Sequence, residues 1–273
     1  MQYIQFNSLL LLQIQNSIIM ENLKEILEQF EAKAKVVSNE TELQSIFKEL
    51  APAFLYGGYI KVREDYQVYI RTVEFYFHSE KDSGIHDPIV YHRNQKDLET
   101  APYFPLMSLH VHNSGFDITF ESKTGEYRAS ALIRSYEVID VNDNQYLKWD
   151  TKKCMFVKPT PNNYCFNDQS TYLKAIVNGF AFGNGNDITW EPSPTEKTKA
   201  ITEKPRKNVV LFRKEGAGYE KVTKAYYEKH KEEFNKLVSE PHYFRINGIE
   251  YLQDPRPWQF QREDAILLNN ESK

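Results

Sequence analysis

The chain has 273 residues, 41% hydrophobic and 26% charged, which excludes a peptide-sized scaffold and a disordered chain, and its mean hydropathy of −0.62 argues against a membrane protein. Aromatic residues make up 14%, with 18 Tyr and 17 Phe, a bias toward β structure because flat rings pack well on pleated surfaces. A net charge of −4 excludes a uniformly basic nucleic-acid binder, so contact with a polyanion must use a local patch.

The apolar run at residues 9–12 has no Lys or Arg before it and is interrupted by Gln13, Gln15 and Asn16, so it is neither a signal peptide nor a membrane span. Residues 1–19 are an N-terminal extension, either upstream of a start at Met20 or a short accessory helix, and residues 20–273 form one domain. Between 21 and 37, Leu23, Ile26, Leu27, Phe30, Ala34 and Val37 recur every three or four residues and predict an amphipathic helix. A second helix is expected from Thr41, where Thr41 and Gln44 have capping-box spacing, with Leu43, Ile46, Phe47 and Leu50 buried before Pro52.

The period then changes to two. Residues 59–62 and 66–77 read as strands joined by Arg63-Glu64-Asp65, and after a polar loop at 79–100 further strands are expected at 109–112, 116–121 and 127–139. The region 142–190 is less periodic, and 191–208, with Pro192, Pro194 and Pro205, reads as an exposed loop. A strand at 208–212, an amphipathic helix at 221–238 and a hairpin at 243–251 turning at Asn247-Gly248 complete the chain. The fold class is α+β, a single domain in which helices flank an antiparallel sheet. Cys154 and Cys165 lie in no CxxC or zinc spacing and cannot build a disulfide framework, which points to a reducing cytoplasm.

Strand alternation places Glu74 in a row with Val68, Ile70, Thr72 and Tyr76, a carboxylate among apolar side chains. Such a group is paired, protonated, or set at a cleft that water reaches, and Arg134 on a neighbouring strand is a candidate partner. Five of seven histidines fall between residues 78 and 112, and His110-x-His112 has the spacing of metal-binding strands. From Thr195 to Lys236, 12 Lys and Arg face 7 Asp and Glu. Lys204, Arg206 and Lys207 in the expected loop are candidates to follow a phosphate backbone.

In order, four segments resemble the methylpurine-DNA glycosylase family, whose members remove alkylated purines from DNA. Glu49-Leu50-Ala51-Pro52-Ala53-Phe54-Leu55-Tyr56-Gly57-Gly58-Tyr59-Ile60 is similar to the family's opening helix and first strand, and Arg71-Thr72-Val73-Glu74-Phe75-Tyr76 to its Val-Glu-Thr-Glu-Ala-Tyr strand. The loop Gly84-Ile85-His86-Asp87 through His92-Arg93-Asn94 is similar to a base-contacting stretch, and Ala129-Ser130-Ala131-Leu132-Ile133-Arg134-Ser135-Tyr136-Glu137 to a Val-Leu-Ile-Arg-Ala-x-Glu strand. The match covers residues 49–140, and Pro257-Trp258-Gln259-Phe260 is similar to the C-terminal segment.

The resemblance implies a curved antiparallel sheet, damaged or modified DNA as partner, and no cofactor. It assigns Glu74 as the base that activates water, Tyr76 as the ring that stacks on the flipped base, and His86, Arg93, Asn94 and Arg134 as residues around the pocket. Excision needs a water aimed at the anomeric carbon, negative charge beside an oxocarbenium-like transition state, and a base held between rings. Three positions depart from the family. Ser114 stands where a Tyr wedges into DNA, His112 where an aromatic stacks, and Glu121 where an Asn discriminates purines. Two alternatives accompany this reading: a non-catalytic nucleic-acid-binding protein on the same fold, and a metal-binding β-barrel using His110, His112 and a carboxylate.

Overall fold

The computed structural model describes residues 23–81, 84–87, 90, 102–112, 115–159, 167, 170–177, 187–193, 200–206, 211–215, 218–221, 229, 242–246, 249–253 and 256–263. The expected extension at 1–19 and most of the expected helix at 221–238 lie outside them.

Helix α1, Leu23–Ala34, buries Leu23, Leu27, Phe30 and Ala34, one stripe at helical spacing. Helix α2, Glu40–Tyr56, starts earlier than its expected capping box. Asn39, in an extended conformation, accepts a hydrogen bond from the Glu42 amide at 2.9 Å, and Glu42 accepts from the Ser38 amide at 3.1 Å. The short amide of Asn39 reaches the third helical N–H, so the cap lies two residues upstream of Thr41. Gln44 instead donates to Glu203 at 2.6 Å. The helix also runs through Pro52, losing one backbone bond there, because Leu50, Ala51, Phe54 and Leu55 hold this segment against the sheet.

Strands β1, Gly58–Val62, and β2, Tyr66–Ser79, pair antiparallel across a tight turn, with Arg63 in the left-handed region at φ 51°. Strands β3, Ser108–His112, β4, Gly115–Thr119, and β5, Tyr127–Asp140, follow as a meander. The region read as aperiodic holds β6, Gln145–Asp150, β7, Met155–Val157, a 3-10 turn at Ser170–Leu173 with the short α3, Lys174–Val177, and β8, Ile188–Pro192.

The expectation of one exposed loop at 191–208 is corrected, because Ile201–Lys204 forms β9, which pairs with a C-terminal strand numbered fourteenth in chain order, Gln259–Arg262. A separate four-stranded sheet contains β10, Leu211–Glu215, β11, Gly218–Lys221, β12, His242–Ile246, and β13, Ile249–Gln253. In it the expected hairpin turning after Ile246 pairs antiparallel. The last strand is β14, Gln259–Arg262.

Among the described residues ten strands form the main sheet, in the order β3-β4-β5-β2-β1-β8, with β14 and β9 branching from β2 and β6 and β7 from β5. The long pair β2 and β5 is its spine. Along one edge β2 hands over from β1, opposite residues 66–68, to β14, opposite residues 72–74. Along its far edge β5 hands over from β4 to β6. Between these partners the β2–β5 register shifts at Ile70, Thr72 and Val73. A bulge there bends the strand and raises its twist, which curls the sheet.

The bulge also exchanges faces. Val68 and Ile70 precede it and Val73, Phe75 and Phe77 follow it, yet all five belong to one core cluster. Phe47 of α2 stacks on Phe75 at 4.7 Å and meets Trp258 at 5.2 Å, and Phe30 of α1 meets Phe120 at 5.0 Å. The expected row of Val68, Ile70, Thr72, Glu74 and Tyr76 is therefore corrected. Glu74 and Tyr76 sit on the sheet face opposite the helices, and Tyr76 is buried but outside the core cluster. Among the described residues no helix is long and apolar enough to cross a membrane.

Candidate functional site

On that opposite face β2 presents Glu74, Tyr76 and His78 at alternate positions. Glu74 lies level with Leu132 of β5 and Gln259 of β14, and Asp117 of β4 lies level with Leu132. Tyr76 lies level with Ser130, whose buried hydroxyl has no hydrogen-bond partner among the described residues. Gln259, Glu74 and Asp117 thus put polar groups on three of the four strands at this height, with Leu132 of β5 among them.

The carboxylate of Glu74 is fully buried, and the Tyr76 hydroxyl donates to its Oε2 at 3.1 Å. Arg134, the partner expected from the strand pattern, brings Nε to 3.6 Å from Oε1 and is itself 16% exposed. Burial, and after it the negative charge of Glu74, pushes the Tyr76 phenol well above its ordinary 10. The phenol is therefore a neutral donor to Glu74. Of the three states expected of such a carboxylate the structure shows the paired one, with Glu74 left no exposed surface.

The cover over this row is also charged. Asp87, fully buried, pairs with Arg206 at 2.6 Å and faces Arg256 at 3.7 Å. Its amide donates to Nδ1 of His78 at 3.1 Å. Burial lowers the His78 imidazole below its ordinary 6.5, outweighing the opposing charge of Asp87. Arg256 also donates to the carbonyl of His86 at 3.3 Å. These bonds tie the loop 84–87, the end of β9 and the approach to β14 to the end of β2.

Glu74, Tyr76 and Arg134 come together, Arg206 lies over the Tyr76 ring, and His86 and Lys204 have other partners. His86 is exposed, its Nε2 2.9 Å from the Lys81 carbonyl and its ring 5.2 Å from that of His78. Arg206, expected on an exposed loop, is 1% exposed and paired with Asp87, so it has no free guanidinium for a phosphate. Lys204 lies on β9 with Nζ 3.1 Å from Oε1 of Gln261. His112 closes β3 opposite Gly115, and its side chain lies outside the described residues, as do Arg93, Asn94 and Lys207.

Glu121 accepts from the Phe104 amide at 2.6 Å and faces Arg128 at 3.5 Å, fastening residues 102–104. Among the described residues no three His, Cys, Asp or Glu side chains converge as metal ligands. No family model, no curated protein and no solved structure matches the chain.

The sequence assigns no site role to Asp87, Arg256, Trp258 or His78, although Asp87 and Trp258 fall in the family-like segments and His78 among the clustered histidines. His78 was within reach of one, being one step beyond Tyr76 on the same strand row. Asp87 was not, because its partner Arg206 is 119 residues away.

Proposed function

We propose that this protein is a DNA glycosylase that hydrolyses the N-glycosidic bond of a modified nucleobase. Glu74 takes the proton of the attacking water, Tyr76 stacks on the extruded base, and Arg134 sets its guanidinium beside the carboxylate. The observation that carries the reading is the convergence of Glu74, Tyr76 and Arg134 on one sheet face within 3.6 Å. A carboxylate so placed would also stabilise the oxocarbenium-like transition state by its charge. Because Glu74 is fully buried, the base and water enter only after the cover over Tyr76 has moved.

The test is release of free base from alkylated DNA by wild type and Glu74→Gln. The expected loss in the variant is about 10²- to 10⁴-fold, the usual contribution of a general base. Equal release by both proteins, or release by neither, overturns the assignment. The complete burial of Glu74 and the Ser114 that replaces the wedge favour a second reading, a non-catalytic nucleic-acid-binding protein. Its signature is salt-dependent DNA binding with no base released.

A further inference from the structure

Helices α1 and α2 each bury one stripe against the sheet, and their outer sides meet in a trough. Phe30 and Leu50 form its floor, Ile26 and Ile46 its sides, and Val36 and Val37 its end beside the interhelix turn. Two hollows of about 170 and 390 Å³ share Lys33, Ile46 and Glu49, so they are one continuous depression. The smaller falls below the roughly 300 Å³ at which small-molecule pockets begin, and the elongated shape suits a length of chain better than a compact ligand.

The trough is apolar where it is open. Val36 is 78% exposed, more than any other large hydrophobic residue among those described. The Lys33–Glu49 ion pair crosses above, and both side chains are more than half exposed. A pair so solvated contributes little and can swing to the rim.

The chain itself supplies a matching occupant. Residues 1–22 lie outside the described residues and lead straight into α1 at Leu23. From Met1 to Met20 there is no Asp, Glu, Lys, Arg or His, so burying this stretch desolvates no charged side chain. Ile4, Leu11, Ile14 and Ile18 share one face at helical spacing, with Gln5, Gln13 and Asn16 on the far side.

A helix over residues 4–18 is about 22 Å long, and the twelve residues of α1 span about 18 Å. Residues 19–22 remain as a short connection, the kind that sets consecutive helices antiparallel. Counting back from Leu23 then brings Ile14 level with Ile26, Leu11 with Phe30, and Ile4 with Val37. The tether holds the segment at high effective concentration beside its groove.

We infer that residues 4–18 form a third helix that docks in the trough between α1 and α2 of the same molecule. The inference does not depend on the chemistry proposed for Glu74.

The test is amide hydrogen exchange of the full chain, read by mass spectrometry at two protein concentrations. Residues 4–18 are expected to exchange about tenfold more slowly than the same sequence as a free peptide. Val36→Asp and Ile46→Asp each set a carboxylate in the trough and are expected to abolish that protection while β2 and β5 keep theirs. Ile46→Leu is expected to retain it. Because Val36 is exposed, its variant carries the test if Ile46→Asp does not fold.

Exchange of residues 4–18 at the free-peptide rate in wild type overturns the inference, as does protection unchanged in a folded Asp variant. Protection that fades on dilution, together with a dimer mass by light scattering, makes a second copy the occupant and overturns docking within one molecule. Failure of both Asp variants to fold overturns it too, by making the trough part of the core.

Discussion

His78 shows how a single residue couples the cover to solution conditions. Burial holds its imidazole below the ordinary 6.5, and its Nδ1 accepts from the Asp87 amide, so a proton at that nitrogen would displace the bond. Asp87, His86 and Glu80 are the charged or titratable groups acting on it. Asp87 and Glu80 favour the cation, yet desolvation prevails. With the folded value depressed, the unfolded chain takes up the proton first. The stability contributed by neutral His78 is therefore present above pH 6.5 and is lost as pH falls through the folded value. Urea midpoints recorded from about pH 7.5 down to pH 5 should fall more steeply for wild type than for His78→Gln. Parallel curves would show that this histidine does not titrate differently on folding.

At the level of elements, the β2 bulge decides which face Glu74 occupies. Helix α2 and strands β1 to β5 were legible in the sequence because their apolar positions recur at a fixed period. A bulge inserts one residue without altering composition, so the alternation gives no sign of it and the faces beyond it are misassigned. Phe47 ties the two kinds of element together, stacking on Phe75 and meeting Trp258 edge-on. Phe47→Ala is expected to cost about 3–5 kcal/mol through lost burial and an incompletely collapsed cavity. Equilibrium urea unfolding measures it, and a loss below about 1 kcal/mol would mean that the packing of α2 on the sheet is not a main source of stability.

For the whole molecule, the C-terminal strand is a closing element of the fold. β14 pairs with β2 at Thr72, Val73 and Glu74 and with β9 along its other edge, while Arg256 and Trp258 just before it pack under Asp87 and Phe47. A chain ended after residue 255 is expected to lose its single cooperative unfolding transition and to be cut rapidly under limited proteolysis. A truncated chain with the wild-type melting profile would refute that role.

The amino-acid sequence by itself determined the α+β class, the two helices and the meander, since each rests on local periodicity and on the short reach of caps and turns. It also nominated Glu74, Tyr76 and Arg134, and the tertiary structure brings these three together. Only the tertiary structure decided that they lie opposite the helices, that β9 and β14 complete the sheet around them, and that Arg206 is a buried partner of Asp87. Those outcomes depend on a bulge and on pairings between residues more than 100 positions apart, where the driving force is shared burial of charge and rings and leaves no periodic trace along the chain.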